Sequence, residues 1–96
     1  MKKYRLNHEV QTIKTGNYRY FYSHVDNCYY GFEEIGDKII DGLFLDQDIS
    51  QIAKDLVNEY MVSEEKACKD IRDLVEELLK LKILIEVSND EDISKW

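Results

Sequence analysis

Residues 29–85 decide how this chain is read. Tyr29-Tyr30-Gly31-Phe32-Glu33-Glu34-Ile35-Gly36-Asp37-Lys38-Ile39-Ile40-Asp41-Gly42 leads into Asp48-Ile49-Ser50-Gln51-Ile52-Ala53, then Tyr60-Met61-Val62-Ser63. Asp70-Ile71-Arg72-Asp73-Leu74-Val75-Glu76-Glu77-Leu78 follows, and the stretch closes on Leu84-Ile85. The period of the apolar residues changes along it. Up to Phe32 they are aromatic and contiguous, as in a strand. From Phe32 onward Ile35, Ile39, Ile40 and Leu43 recur at helical spacing, which predicts a first helix ended by Gly42 and the Asp46-Gln47-Asp48 loop.

A second helix is predicted from Asp48, which is placed to cap free amides with Gln51 three residues on, a capping-box arrangement. Its apolar face is Ile49, Ile52, Ala53, Leu56, Val57 and Tyr60. Ser63 is placed to cap the third and longest helix, where Glu64 and Glu65 favour the dipole and Lys80 and Lys82 sit at the far end. Residues 83–87 read as a short strand or wing. Residues 88–96 are polar and expected to fray.

Upstream of residue 29 the pattern is that of strands. Residues 8–14 and 18–23 read as two strands joined by a hairpin loop of about three residues, Thr15-Gly16-Asn17. Tyr18, Tyr20 and Tyr22 would share one face, with Arg19, Phe21 and Ser23 on the other. A turn at Asp26-Asn27 leads to the third strand, residues 28–32. The expected fold is α+β: an N-terminal three-stranded antiparallel β-meander, then three helices in a winged-helix-like arrangement with a short C-terminal strand. One domain spans residues 1–87, followed by the tail.

Composition narrows the function classes. A chain of 96 residues with 44% hydrophobic content makes a single folded domain. The formal charge of -7 argues against a general nucleic-acid binder, which shows a basic footprint. That charge is uneven: residues 1–20 hold five Lys or Arg against one acid, and the remainder eight against nineteen. The basic start could help fix the first strand or touch an acidic partner. Cys28 and Cys68 have no paired spacing, so they are expected to be reduced thiols packed as small apolar residues. The N-terminus has no apolar h-region, and no apolar run approaches the ~20 residues of a membrane span. A soluble cytoplasmic protein without membrane contact is expected.

Catalytic chemistry is missing. His24 and Cys28 have no zinc-ligand spacing with His8 or Cys68, and Asp46-Gln47-Asp48 lacks the glycine and distal Glu of a calcium loop. There is no phosphate-binding glycine loop and no supported nucleophile arrangement. Neither an enzyme nor a metal or cofactor site is expected.

Two features could bind a partner. On a wheel of 100° per residue with Ala67 at zero, Ile71, Leu74, Leu78 and Leu81 fall within about 40°, and Cys68, Val75 and Leu79 form a second stripe near 100°. That second stripe is either covered by the sheet or forms a groove open to a peptide. Lys69, Arg72 and Lys80 surround it with only Glu76 opposing, a positive lip suited to an acidic ligand. The third strand is an edge of the meander, with a row of unpaired backbone groups beside which a peptide can add as a fourth strand. Gly31 permits close backbone approach. The alternative is an edge protected by the wing or by dimerisation.

The ordered set Tyr29-Tyr30-x-Phe32-x-x-x-Gly36-x-x-Ile39, Asp41-Gly42, Ile52-Ala53, Tyr60-x-Val62-Ser63, Asp70-Ile71-x-x-Leu74-x-x-x-Leu78 and Leu84-Ile85 resembles the PqqD-like family, the recognition elements of ribosomally made peptides. It departs from the family's usual pattern at Phe32-Glu33, Ile40 and Ile83. The resemblance implies binding of a precursor's leader segment beside the third strand and against the third helix. Carried over, this marks Tyr29, Tyr30, Gly31, Phe32, Cys68, Lys69, Arg72, Val75, Glu76 and Leu79 as peptide-binding. It implies a separate maturation enzyme as second partner, a radical-SAM enzyme or, in the lasso-peptide branch, a leader protease. Two rivals stay open: a winged-helix transcription regulator, whose recognition helix would present six carboxylates to phosphate, and a non-catalytic dimerisation subunit.

Overall fold

A computed structural model describes residues 3–16 and 18–87. The order is β1 (Lys3–Leu6), β2 (Val10–Thr15), β3 (Tyr18–Ser23), β4 (Cys28–Phe32), α1 (Glu34–Phe44), α2 (Ile49–Glu59), α3 (Glu64–Lys80) and β5 (Leu84–Val87). β2, β3 and β4 form the expected antiparallel meander, three helices follow, and a short strand closes the chain. The polar tail expected over residues 88–96 lies outside the described residues.

Several local expectations are corrected. The β2–β3 hairpin is tighter than expected, since Thr15 pairs directly with Tyr18 and Gly16 adopts φ +60°. β2 begins only at Val10, because residues 7–9 are used in a turn where the Val10 amide donates to the Asn7 carbonyl (2.9 Å). The segment before it forms β1, which the sequence did not announce. β1 pairs antiparallel with β5, Lys3 opposite Val87 and Leu6 opposite Leu84, so the wing is held by the start of the chain. A four-residue segment gives too short a period to stand out from a basic start.

The helices show which caps are real. The Ser63 Oγ accepts from the Lys66 amide (3.1 Å), as expected. Asp48 occupies the N-cap of α2 but makes no side-chain cap bond, and Gln51 donates instead to Asp55 (3.1 Å), one turn along its own helix. Gly42 does not end α1. It is buried inside that helix, where a Cβ would come within 2.7 Å of the Ile52 side chain, so its role is the close crossing of α1 and α2. The helix ends two residues later, and Asp46 takes the left-handed turn at φ +59°. At the end of α3, Lys82 adopts φ +62°. Its amide donates to the Leu79 carbonyl (3.1 Å) and that of Ile83 to the Leu78 carbonyl (3.0 Å). This is a Schellman closure with lysine where glycine is favoured.

One face of β3 points at the helices: Arg19, Phe21 and Ser23 are buried, while Tyr18 and Tyr20 are exposed. An ion network, buried at Arg19 and Asp37 and open to solvent at Lys14 and Asp41, joins this face to α1. Arg19 Nε donates to Asp37 Oδ1 (2.6 Å), another guanidinium nitrogen pairs with Asp41, and Lys14 Nζ reaches Asp37 Oδ2 (2.9 Å) and Asp41 Oδ2 (3.1 Å). The Arg19 guanidinium also lies 5.6 Å from the Phe44 ring centroid. Burial pushes the Asp37 carboxyl upward, but the hydrogen bonds and charges of Lys14 and Arg19 outweigh it and hold the group below its usual range. Together with the Arg5–Asp46 pair (2.8 Å), this gives the basic N-terminal segment a structural role.

Candidate functional site

The site is built on β4. Within the meander β4 has only β3 as a neighbour, and β5 is engaged by β1. Among the described residues, no strand therefore covers the outer edge of β4, and the wing does not protect it. β2 is the other edge, but it carries Lys14, a charge of the kind that discourages strand pairing, whereas Cys28-Tyr29-Tyr30-Gly31-Phe32 has no charge at all. β3 and β4 rest on α1, while α3 packs chiefly on α2 and β5.

Alternation along β4 gives its residues two destinations. Tyr30 and Phe32 turn inward and are half-buried against the core, with the Phe32 ring edge-on to Phe21 at 5.8 Å. The Tyr30 hydroxyl donates to Asp26, and this bond raises the phenol to a pKa of about 12. Tyr29 points outward, 69% exposed, with its ring 4.7 Å from that of Tyr22. Gly31 lies opposite Tyr20, whose ring carbon would stand 3.0 Å from a Cβ at that position. The glycine thus makes room for the ring of a neighbouring strand. Cys28 is exposed rather than packed, its Sγ 3.4 Å from the Asp26 carbonyl.

The α3 residues separate differently from the wheel. The buried positions are Ala67, Ile71, Val75 and Leu78, an arc centred about 35° from Ala67 toward the second stripe. Val75 is consequently core, at 6% exposure, and Leu74 is only half-buried. Cys68 and Leu79 stay half-buried on the flank beyond Val75, so that side of the helix is not sealed by the sheet. Glu64, Glu65, Cys68 and Arg72 line an open depression of about 390 Å³ there. The positive lip is weaker than expected: Lys69 is paired with Asp73 (2.7 Å) and Lys66 with Asp70 (3.0 Å), each one turn along the helix. Arg72, Glu76 and Lys80 are exposed.

The structure thus gathers Tyr29, Tyr30, Gly31 and Phe32 on one free edge, and Cys68, Arg72 and Leu79 on one helix flank. Tyr30, Phe32, Cys68 and Leu79 all pack on the same core cluster. Sequence reasoning missed Tyr20, Tyr22 and Asp26, which support the edge strand. Tyr20 and Tyr22 were detectable only through the register, which sets them opposite Gly31 and Tyr29. No helix among the described residues is long and apolar enough to cross a membrane, and no three metal-ligating side chains cluster there.

A meander whose uncharged β4 edge is open among the described residues, three helices behind it and a wing paired with β1 define a small winged-helix-like domain. The profile of the family described as Coenzyme PQQ synthesis protein D (PqqD) matches residues 21–84, and the chain belongs to that family. Two solved structures share the fold. "Lasso peptide synthetase B1 complexed with the leader peptide" has a TM-score of 0.81 at 22% identity, covering 86% of this chain and 98% of its own. "TbiB1 in Complex with the TbiA(beta) Leader Peptide" has a TM-score of 0.77 at 18% identity, covering 88% of this chain and 99% of its own. No curated protein matches the sequence.

Proposed function

We propose that this domain is a cytoplasmic, non-catalytic peptide chaperone. It binds the leader segment of a ribosomally made precursor as a fourth strand on β4 and presents the rest of that peptide to a separate maturation enzyme, a radical-SAM enzyme or a leader protease. One observation carries the reading: among the described residues β4 offers an uncharged, unpaired edge, while the wing strand is engaged by β1. Backbone bonds along β4 supply affinity, and alternate side-chain pockets supply specificity. Toward the helices those pockets are formed by Tyr30 and Phe32 and by the open flank of α3 at Cys68, Arg72 and Leu79, with Lys69 and Glu76 at its rim. Val75 contributes from beneath, as the floor. Both structural neighbours hold leader peptides, which supports the same use here. The contribution of such a domain is effective concentration and register for an enzyme that does the bond-making.

The test is a titration of isotope-labelled protein with a synthetic leader taken from the short reading frame nearest its gene, followed by backbone amide shifts. Shifts concentrated at residues 28–32 and 68–79 are expected. Shifts confined to β2, or to α3 on addition of DNA in place of peptide, would overturn the reading.

A further inference from the structure

The face of the meander turned away from the helices is unusual for this chain. Its register sets Gln11, Ile13 and Thr15 of β2 beside Tyr22, Tyr20 and Tyr18 of β3, and sets Tyr29 and Gly31 of β4 beside Tyr22 and Tyr20. None of these eight residues is charged, although the chain holds thirteen basic and twenty acidic residues. A sheet with one face on a core normally turns polar groups to water on the other. Here Ile13 is 48% exposed, Tyr18 49%, Tyr20 40% and Tyr29 69%. At the centre of the β4 edge Gly31 contributes no side chain, and the Tyr20 ring lies over it, so that the ring itself forms the surface there.

We propose that the Tyr20 ring, laid over Gly31 at the β4 edge, forms a second specificity site, which reads one outward-facing side chain of the bound peptide, and that this side chain is large and apolar or aromatic. The inference rests on strand addition at β4. A strand paired there alternates its side chains, so the residue opposite Gly31 points to the outer face while its two sequence neighbours point toward the helices. Directly paired side chains stand about 4.5–5.5 Å apart at Cβ. Opposite a glycine no paired side chain competes, and the incoming group lies over Gly31 onto the Tyr20 ring. Tyr29 flanks it on the same face, about 7 Å along the strand. A carboxylate would lose hydration there and meet no cation, and a cation would gain only a weak contact with the ring faces, whereas a large apolar or aromatic group buries area against them. On the helix-facing side Tyr30 and Phe32 pack on the core cluster, and charged residues of α3 lie beyond them. The outward position is therefore read by aromatic rings alone.

The test begins with a phage-displayed library of random twelve-residue peptides selected on the immobilised full chain. The selected peptide is then titrated against the wild type, Tyr20→Ser and Tyr20→Phe, with amide shifts confirming engagement of β4. A Phe, Tyr, Trp, Leu or Met is expected at the outward position. Its replacement by serine should weaken binding at least tenfold on the wild type and little on Tyr20→Ser, while Tyr20→Phe binds as the wild type does. Equal affinity of the wild type and Tyr20→Ser, with the β4 shifts intact, overturns the inference and leaves strand addition standing. Selected peptides that do not shift β4 overturn both. Sedimentation of the protein alone distinguishes the competing occupant: a dimer abolished by Tyr20→Ser would assign this face to a second copy of the chain. If Tyr20→Ser fails to fold, Tyr29→Ser, at a more exposed ring on the same face, replaces it with the same expectation.

Discussion

Replacing Asp37 by asparagine tests whether the ion network holds the sheet on α1. The Asp37 side chain is 6% exposed and accepts from Arg19 Nε (2.6 Å) and Lys14 Nζ (2.9 Å). A hydrogen bond to a charged group contributes about 1.5–3 kcal/mol, which applies to the buried Arg19 contact. The Lys14 side chain is 46% exposed, so its pair adds only about 0.5–1 kcal/mol. The amide oxygen regains roughly 1 kcal/mol as a neutral acceptor, and Arg19 keeps its pair with Asp41. The net loss at pH 7 is about 2 kcal/mol, large against the about 5–15 kcal/mol that stabilises a domain. With a urea slope near ~1 kcal/mol/M, the unfolding midpoint should fall by about 2 M. The sign with pH is set by the depressed carboxyl. Its contribution is complete above the ordinary value of 3.8 and disappears as pH falls through the lower folded value. The gap between wild type and variant should therefore be widest at neutral pH and shrink below 3.8. The control is Asp73→Asn at the exposed Lys69 pair, which should cost only a few tenths of a kcal/mol. A midpoint shift under ~0.5 M for Asp37→Asn, on the same slope, would refute the reasoning, as would a gap unchanged from pH 7 to pH 3.

Four further substitutions probe α3 and the turn that closes it. Lys82→Gly should raise stability by about 1 kcal/mol, since it relieves a left-handed lysine without touching the Schellman bonds; a loss on thermal unfolding would show that the lysine side chain matters more than its backbone. Val75→Glu should unfold the domain, because it places a carboxylate at a core position, and Leu78→Ala should cost about 2–5 kcal/mol while the half-buried Leu74→Ala costs less. A folded Val75→Glu protein, or a Leu74→Ala penalty above that of Leu78→Ala, would restore the original wheel phase.

Much of the architecture was legible without coordinates because it is written in local period and local chemistry. The switch at Phe32 from contiguous aromatics to helical spacing marks the passage from meander to helices, and the two faces of β3 follow from alternation alone. The Ser63 cap is a bond between near neighbours, and the motif order from Tyr29 to Ile85 placed the chain in its family. Tertiary structure decided whatever depends on residues distant in sequence. It paired β1 with β5, which leaves β4 free; no local signal announces that a four-residue start will find a strand some eighty residues away. It rotated α3 by about 35°, because helix phase is set by what α2 and β5 press against, and so made Val75 core instead of groove. It turned Gly42 from a helix stop into a crossing point, since only Ile52 of the next helix reveals why no side chain fits. And it laid Tyr20 across Gly31, where strand register, a long-range property, joined two unremarkable residues into a shelf.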